Sequence, residues 1–72
     1  MSRTYASVGA FTRAVDAILL DRVGLSSSCL ADWGYWDAWD DGMEPVLAAH
    51  DVMQWNDYPD DLLVETFPEA YV

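Results

Sequence analysis

Between Ser7 and Val23 apolar residues recur at Val8, Phe11, Val15, Ile18 and Leu19, with Arg22 at the rim of the series. This i, i+3, i+4 spacing predicts a helix with one buried face. Ser7 suits the N-cap, because its hydroxyl oxygen can accept from a free N–H of the first turn. Gly24 supplies the left-handed residue that commonly follows a helix C-terminus, and Leu25 is placed to close that end with an apolar contact.

The next segment, "LSSSCLADW", reads as a connector turning into a second helix. Ser27 or Ser28 is the expected N-cap, and Asp32 would lie near the positive end of the helix dipole. The helix is expected to carry "ADWGYWDAWDD" and to stop at Gly42, with Gly34 weakening it by up to about 1 kcal/mol relative to Ala. A third helix is predicted from about Pro45 to Asn56, because proline suits the first helical position. Val46, Ala49, His50 and Met53 would share its buried face, with Leu47 beside them. "DYPDDLLVETFP" repeats the device: Pro59, then Asp60 and Asp61 in a first turn, then Leu62, Leu63 and Phe67, with Pro68 ending the run. "LLVETF" is also compatible with an extended tail, and helix is the favoured reading. The pattern as a whole predicts an all-α fold, a compact bundle of three to four short helices in one domain spanning residues 1–72.

Placed on a helix at about 100° per residue, residues 32–41 separate mostly into two faces. Tyr35, Trp36 and Trp39 form the expected buried face. Asp37, Asp40 and Asp41 fall on another arc, with Trp33 exposed among them, while Asp32 projects with the rings from the first turn. Asp37 and Asp41 are an i, i+4 pair of like charge, a spacing that costs roughly 0.2–0.5 kcal/mol.

Composition sharpens the picture. A domain of 72 residues has a small core, since chains near this size bury only about 60% of the surface exposed when unfolded. Four Trp, four Tyr and two Phe offset this, each able to bury roughly 150–250 Å². The single cysteine, Cys29, excludes an intrachain disulfide and suits a reducing cytosol. The segment "MSRTYASVGAFTRAV" holds no long apolar run, so no signal peptide is expected, and no segment nears the ~20 apolar residues of a membrane span.

Charge is the strongest departure from the ordinary. The formal net charge is −10, there is no lysine, and Arg3, Arg13 and Arg22 are the only arginines. From Val23 to Val72 there are 11 carboxylates and no Lys or Arg. Such self-repulsion costs stability. A solvated face is the ordinary meaning of a charge run, yet solubility needs few such residues. The sharper reading is a surface that imitates nucleic-acid phosphates, which on duplex DNA occur once per ~1.7 Å of axis. Fixed carboxylates can take the place of DNA in a Lys/Arg-lined groove, gaining rate from long-range steering. Trp33 would add an apolar or cation–π contact to a partner arginine.

Other chemistries find little support. Asp40, Asp41 and Glu44 cluster around Gly42 but do not form the calcium-loop pattern, and no metal site is expected. His50, the only histidine, reads as a half-buried packing residue. Cys29 lacks the partners of a zinc or redox site, and a Cys29–His50 nucleophilic pair is a remote alternative. No glycine-rich phosphate loop, G-x-S-x-G or H-E-x-x-H occurs. Three scattered arginines disfavour direct nucleic-acid binding.

At "LADWGYWDAWDDGMEPVLAA" the chain resembles a group of small acidic proteins from phages and integrated mobile elements. Their pattern is Leu-x-Asp, aromatics with acids, Asp-Gly-x-x-Pro, then an Ala-rich helix. It is met here at Leu30, Asp32, Asp41, Gly42, Pro45, Ala48 and Ala49, and "VDAILLDRVGLSS" fits the group's first helix and serine turn. The likeness covers roughly residues 11–53, with residues 54–72 as an apparent tail. In size, acidity and origin the group is similar to the anti-CRISPR proteins, several of which imitate DNA to block a surveillance complex. The resemblance implies a phage-encoded inhibitor. Together with the composition, it leads us to expect a chain that is not an enzyme, needs no cofactor and works in the cytoplasm of the bacterial host, with its oligomeric state open and a monomer favoured.

Its partner would be the basic DNA-binding surface of a defence complex, a Cas protein of a Class 1 CRISPR effector in the first instance. The expected partner-binding residues are Asp32, Trp33, Asp37, Asp40, Asp41, Glu44 and Asp51, with Asp57, Asp60 and Asp61 extending the row. The competing expectation is a regulatory or assembly module, such as an antitoxin or a phage transcription modulator, docking on a basic protein.

Overall fold

The computed structural model describes residues 5–30 and 32–71. Among them are four α-helices and no strand: α1 (Val8–Arg22), α2 (Tyr35–Asp40), α3 (Pro45–Trp55) and α4 (Asp60–Thr66). Short 3₁₀ turns lie at Ser27–Cys29 and Pro68–Tyr71. The chain is therefore all-α, as its apolar spacing predicts.

α1 begins where its cap chemistry directs. The Ser7 side chain accepts from the Ala10 N–H at 3.1 Å, satisfying one of the first-turn donors. Its far end closes at Gly24, which adopts φ +81° and donates its N–H to the Leu19 carbonyl at 2.9 Å. Leu25 stays exposed rather than packing over this end. α1 presents Phe11, Val15 and Leu19, four residues apart, to the interior, and all three are buried.

α3 starts at Pro45 with extended Glu44 before it, the backbone expected of a residue preceding proline. Ala48, Ala49, His50, Val52 and Met53 are buried along it. This face is wider than the predicted one, since it takes in Ala48 and Val52 as well. α1 packs against α3 and α2, and the C-terminal 3₁₀ turn packs on α3 and α4.

The second helix departs from expectation. Serines 27 and 28 do not cap it. The chain makes a 3₁₀ turn at Ser27–Cys29, fixed by a 2.7 Å hydrogen bond from the Ser27 N–H to Asp16 Oδ1. α2 begins only at Tyr35, with Gly34 as its cap residue rather than an interior position. Ala31, in the segment predicted to begin this helix, lies outside the described residues.

The arc turned to the core also differs from the predicted one. Ala38 meets the core and is 4% exposed, while Tyr35 and Trp39 flank it half-buried. Trp36 lies about 160° around the helix from Ala38 and is 54% exposed, not buried as its predicted face required. Trp33 precedes the helix and packs half-buried against the core, not exposed among the acids.

The C-terminal segment is neither extended nor an appendage. α4 carries Asp60 and Asp61 in its first turn, as predicted. Leu63 and Phe67 are fully buried in the same cluster as Phe11, Val15 and Leu19. Arg22 ties this end to α1, reaching both carboxylate oxygens of Glu69 at 2.7 Å and the Thr66 carbonyl at 3.0 Å. Its guanidinium also lies 5.8 Å from the Phe67 ring centroid.

Candidate functional site

The acidic residues predicted to contact a partner fall into three groups by element. Asp37 and Asp40 belong to α2, Asp41 is its C-cap, and Glu44 is the N-cap of α3. The predicted single rod is thus a six-residue helix whose acidic row continues through a cap and a loop. What anchors it is Ala38 in the core and a 2.8 Å hydrogen bond from Trp39 Nε1 to the Tyr5 carbonyl. Trp36 leans edge-on against Trp39 at 5.9 Å between centroids. Asp37, Asp41 and Glu44 are exposed, and Asp40 is half-buried.

The second group, Asp57, Asp60 and Asp61, sits at the turn between α3 and α4 and is exposed. Asp57 takes φ 63°, a left-handed conformation that Asp tolerates better than most residues. Beside it the Asn56 side chain bonds back to the Val52 carbonyl at 2.7 Å, capping the end of α3.

The third group is the one the fold gathers around a concavity. Asp32 and Trp33, before α2, meet Asp51 and Trp55 of α3. Two open surface hollows share Trp33 and Trp55: one of about 370 Å³ completed by Asp32 and Gly34, the other of about 280 Å³ completed by Asp51 and Gln54. Trp33 is held from behind by Tyr35, ring edge to ring face at 5.1 Å. Trp55 is 64% exposed.

Sequence reasoning did not single out Trp55, although a signal was present. It lies about 200° from Met53 on α3, opposite the predicted face of Val46, Ala49, His50 and Met53, although the observed face reaches round to Ala48 and Val52.

Asp51 is also positioned from the interior side. Its Oδ1 lies 3.0 Å from His50 Nδ1, and His50 Nε2 lies 2.8 Å from the Tyr71 hydroxyl. With its proton on Nδ1, His50 donates to Asp51 and accepts from Tyr71, so one neutral tautomer satisfies both contacts. The imidazole is 9% exposed and stacks edge-to-face with Phe67 and Tyr71 at 6.0 and 5.2 Å. This accords with the packing role expected of it.

Three titratable groups are perturbed. The hydrogen-bonded Arg22 guanidinium holds the exposed Glu69 carboxyl down at about 2, and the same contact raises Arg22. Burial pushes the Tyr35 hydroxyl up, with Asp16 adding to the effect. That hydroxyl is enclosed without a hydrogen-bond partner among the described residues. Ser27 is close enough to oppose the shift slightly, but no well-formed hydrogen bond joins the two.

Cys29 is a free, exposed thiol. Among the described residues no three His, Cys, Asp or Glu side chains converge as a metal site, and no helix is long and apolar enough to cross a membrane. Comparison with protein-family models, curated proteins and solved structures gives no match.

Proposed function

We propose that this chain is a non-enzymatic, phage-encoded inhibitor that acts as an acidic DNA mimic. It would occupy the Lys/Arg-lined DNA-binding surface of a bacterial DNA-targeting defence complex in the host cytoplasm, with a Class 1 CRISPR surveillance complex as the first target. The observation that carries this reading is the excess of outward carboxylate charge over available cations. Asp32, Asp37, Asp41, Glu44, Asp57, Asp60 and Asp61 are all exposed, whereas Arg22, one of only three arginines, is committed to Glu69. A field of this sign steers the protein toward a cationic cleft.

The test is competition. The protein should displace duplex DNA from a purified surveillance complex, with affinity falling steeply as salt rises. Asp37→Lys with Asp41→Lys should abolish displacement while the far-ultraviolet circular dichroism stays unchanged. Full displacement by that double variant would show that the α2 surface is not the contact.

A second reading, an assembly module docking on a basic protein, is favoured by the exposed apolar side chains Trp36, Leu62 and Val64, which are 54%, 42% and 47% accessible. Binding through those residues would be weakly salt-dependent and insensitive to the α2 charge reversal.

A further inference from the structure

Trp55 is the most exposed of the large apolar side chains that the fold leaves at the surface. It is not isolated, because it faces Trp33 across the two shared hollows, with Asp32 at one and Asp51 at the other. Two indoles provide electron-rich faces, and two carboxylates provide the charge. The chemistry this combination recognises is a flat organic cation, which indole faces attract through their quadrupole. A nucleobase could stack on the same rings, but its phosphates would meet a chain of net charge −10. The hollows are open and shallow, suited to a side chain delivered by another surface rather than to an enclosed small molecule.

We infer that the paired hollows shared by Trp33 and Trp55 take the guanidinium of an arginine side chain on a basic protein partner, with Asp32 at one and Asp51 at the other as counter-charges. This inference rests on the proposal above that the partner's surface is cationic, and it adds a specific anchor. Arginine fits better than lysine because the planar guanidinium stacks on an indole while its edge donates to carboxylates, and it is the more weakly hydrated cation. Asp51 is prepared for this role, since His50 fixes its Oδ1 from the protein side. Tryptophan and arginine are both enriched among the residues that dominate the energy of protein interfaces.

The experiment titrates the full-length chain with two capped synthetic peptides of equal length and charge, one carrying arginines spaced by glycine and serine, the other lysines at the same positions. Affinity and the indole N–H resonance of Trp55 are followed by nuclear magnetic resonance at low salt. The wild type should bind the arginine peptide about three-fold or more tightly than the lysine peptide, with the Trp55 resonance moving only for the former. Trp55→Ala should remove the preference while leaving lysine-peptide binding unchanged. Asp60→Asn with Asp61→Asn should weaken both peptides alike and keep the preference.

Equal affinity for the two peptides, failure to bind either, or a preference that survives Trp55→Ala overturns the inference. DNA competition without an arginine preference leaves the proposed function standing and removes the anchor. An arginine preference without DNA competition does the reverse.

Discussion

The Tyr35 hydroxyl is enclosed beside Ser27 and Asp16 with no hydrogen-bond partner among the described residues. A buried polar group left unpaired costs about 1–3 kcal/mol. Tyr35→Phe should therefore raise stability by about 1 kcal/mol, seen as a higher urea midpoint at unchanged slope. Glu69 behaves in the opposite sense, being exposed and held by Arg22 at about 2 against an ordinary value of 4.5. The unfolded chain binds the proton more readily, so the stability from this pair is fully present above about 4.5 and is lost as pH falls through about 2. The gap in stability between wild type and Glu69→Gln should narrow over that window, measured by urea unfolding at each pH. The sequence placed Tyr35 on a buried face but could not show what surrounds its hydroxyl, nor that Glu69 meets Arg22. The Arg22–Glu69 pair spans 47 positions and the His50–Tyr71 pair 21, and pattern along a chain does not report which distant polar groups meet.

The four helices were legible wherever local backbone chemistry punctuates them. Ser7, Gly24, Pro45 and Pro59 each act within the adjoining turn of the chain, so their meaning does not depend on the rest of the fold. α2 was less legible because the angles between its residues do not say which arc faces the core. The large rings Tyr35, Trp36 and Trp39 point to one arc, whereas packing turns Ala38, a residue with no large apolar signal, to the interior. The same dependence on tertiary context made the C-terminal segment read as an addition. Leu63 and Phe67 are in fact fully buried with α1 and α3. Leu63→Ala should cost about 2–5 kcal/mol, enough in a domain this small to unfold a sizeable fraction at 37 °C, measured by thermal circular dichroism.

Over the whole molecule, the surplus of like charge should make stability rise with ionic strength. Screening contracts from about 30 Å at 0.01 M to about 3 Å at 1 M salt, so the carboxylates of α2, the α3–α4 turn and the Trp33–Trp55 hollow cease to repel one another. The melting temperature should climb steadily with sodium chloride, the opposite of the trend expected for binding to a cationic partner. The sign of the charge was evident from composition. Its partition into three groups was not, since only folding brings Asp32 and Asp51 to neighbouring hollows that share Trp33 and Trp55 and leaves Asp57, Asp60 and Asp61 at another turn. The division of the tryptophans has an optical consequence. Trp36 and Trp55 face solvent while Trp33 and Trp39 are half-enclosed, so the molecule emits from two wet and two sheltered fluorophores. Iodide, an anion, is turned away by the surrounding negative field and under-reports the wet pair, whereas neutral acrylamide reaches it freely. A partner that settles over Trp55 dims the acrylamide response and moves the emission toward the blue, and the chain needs no attached dye to announce it.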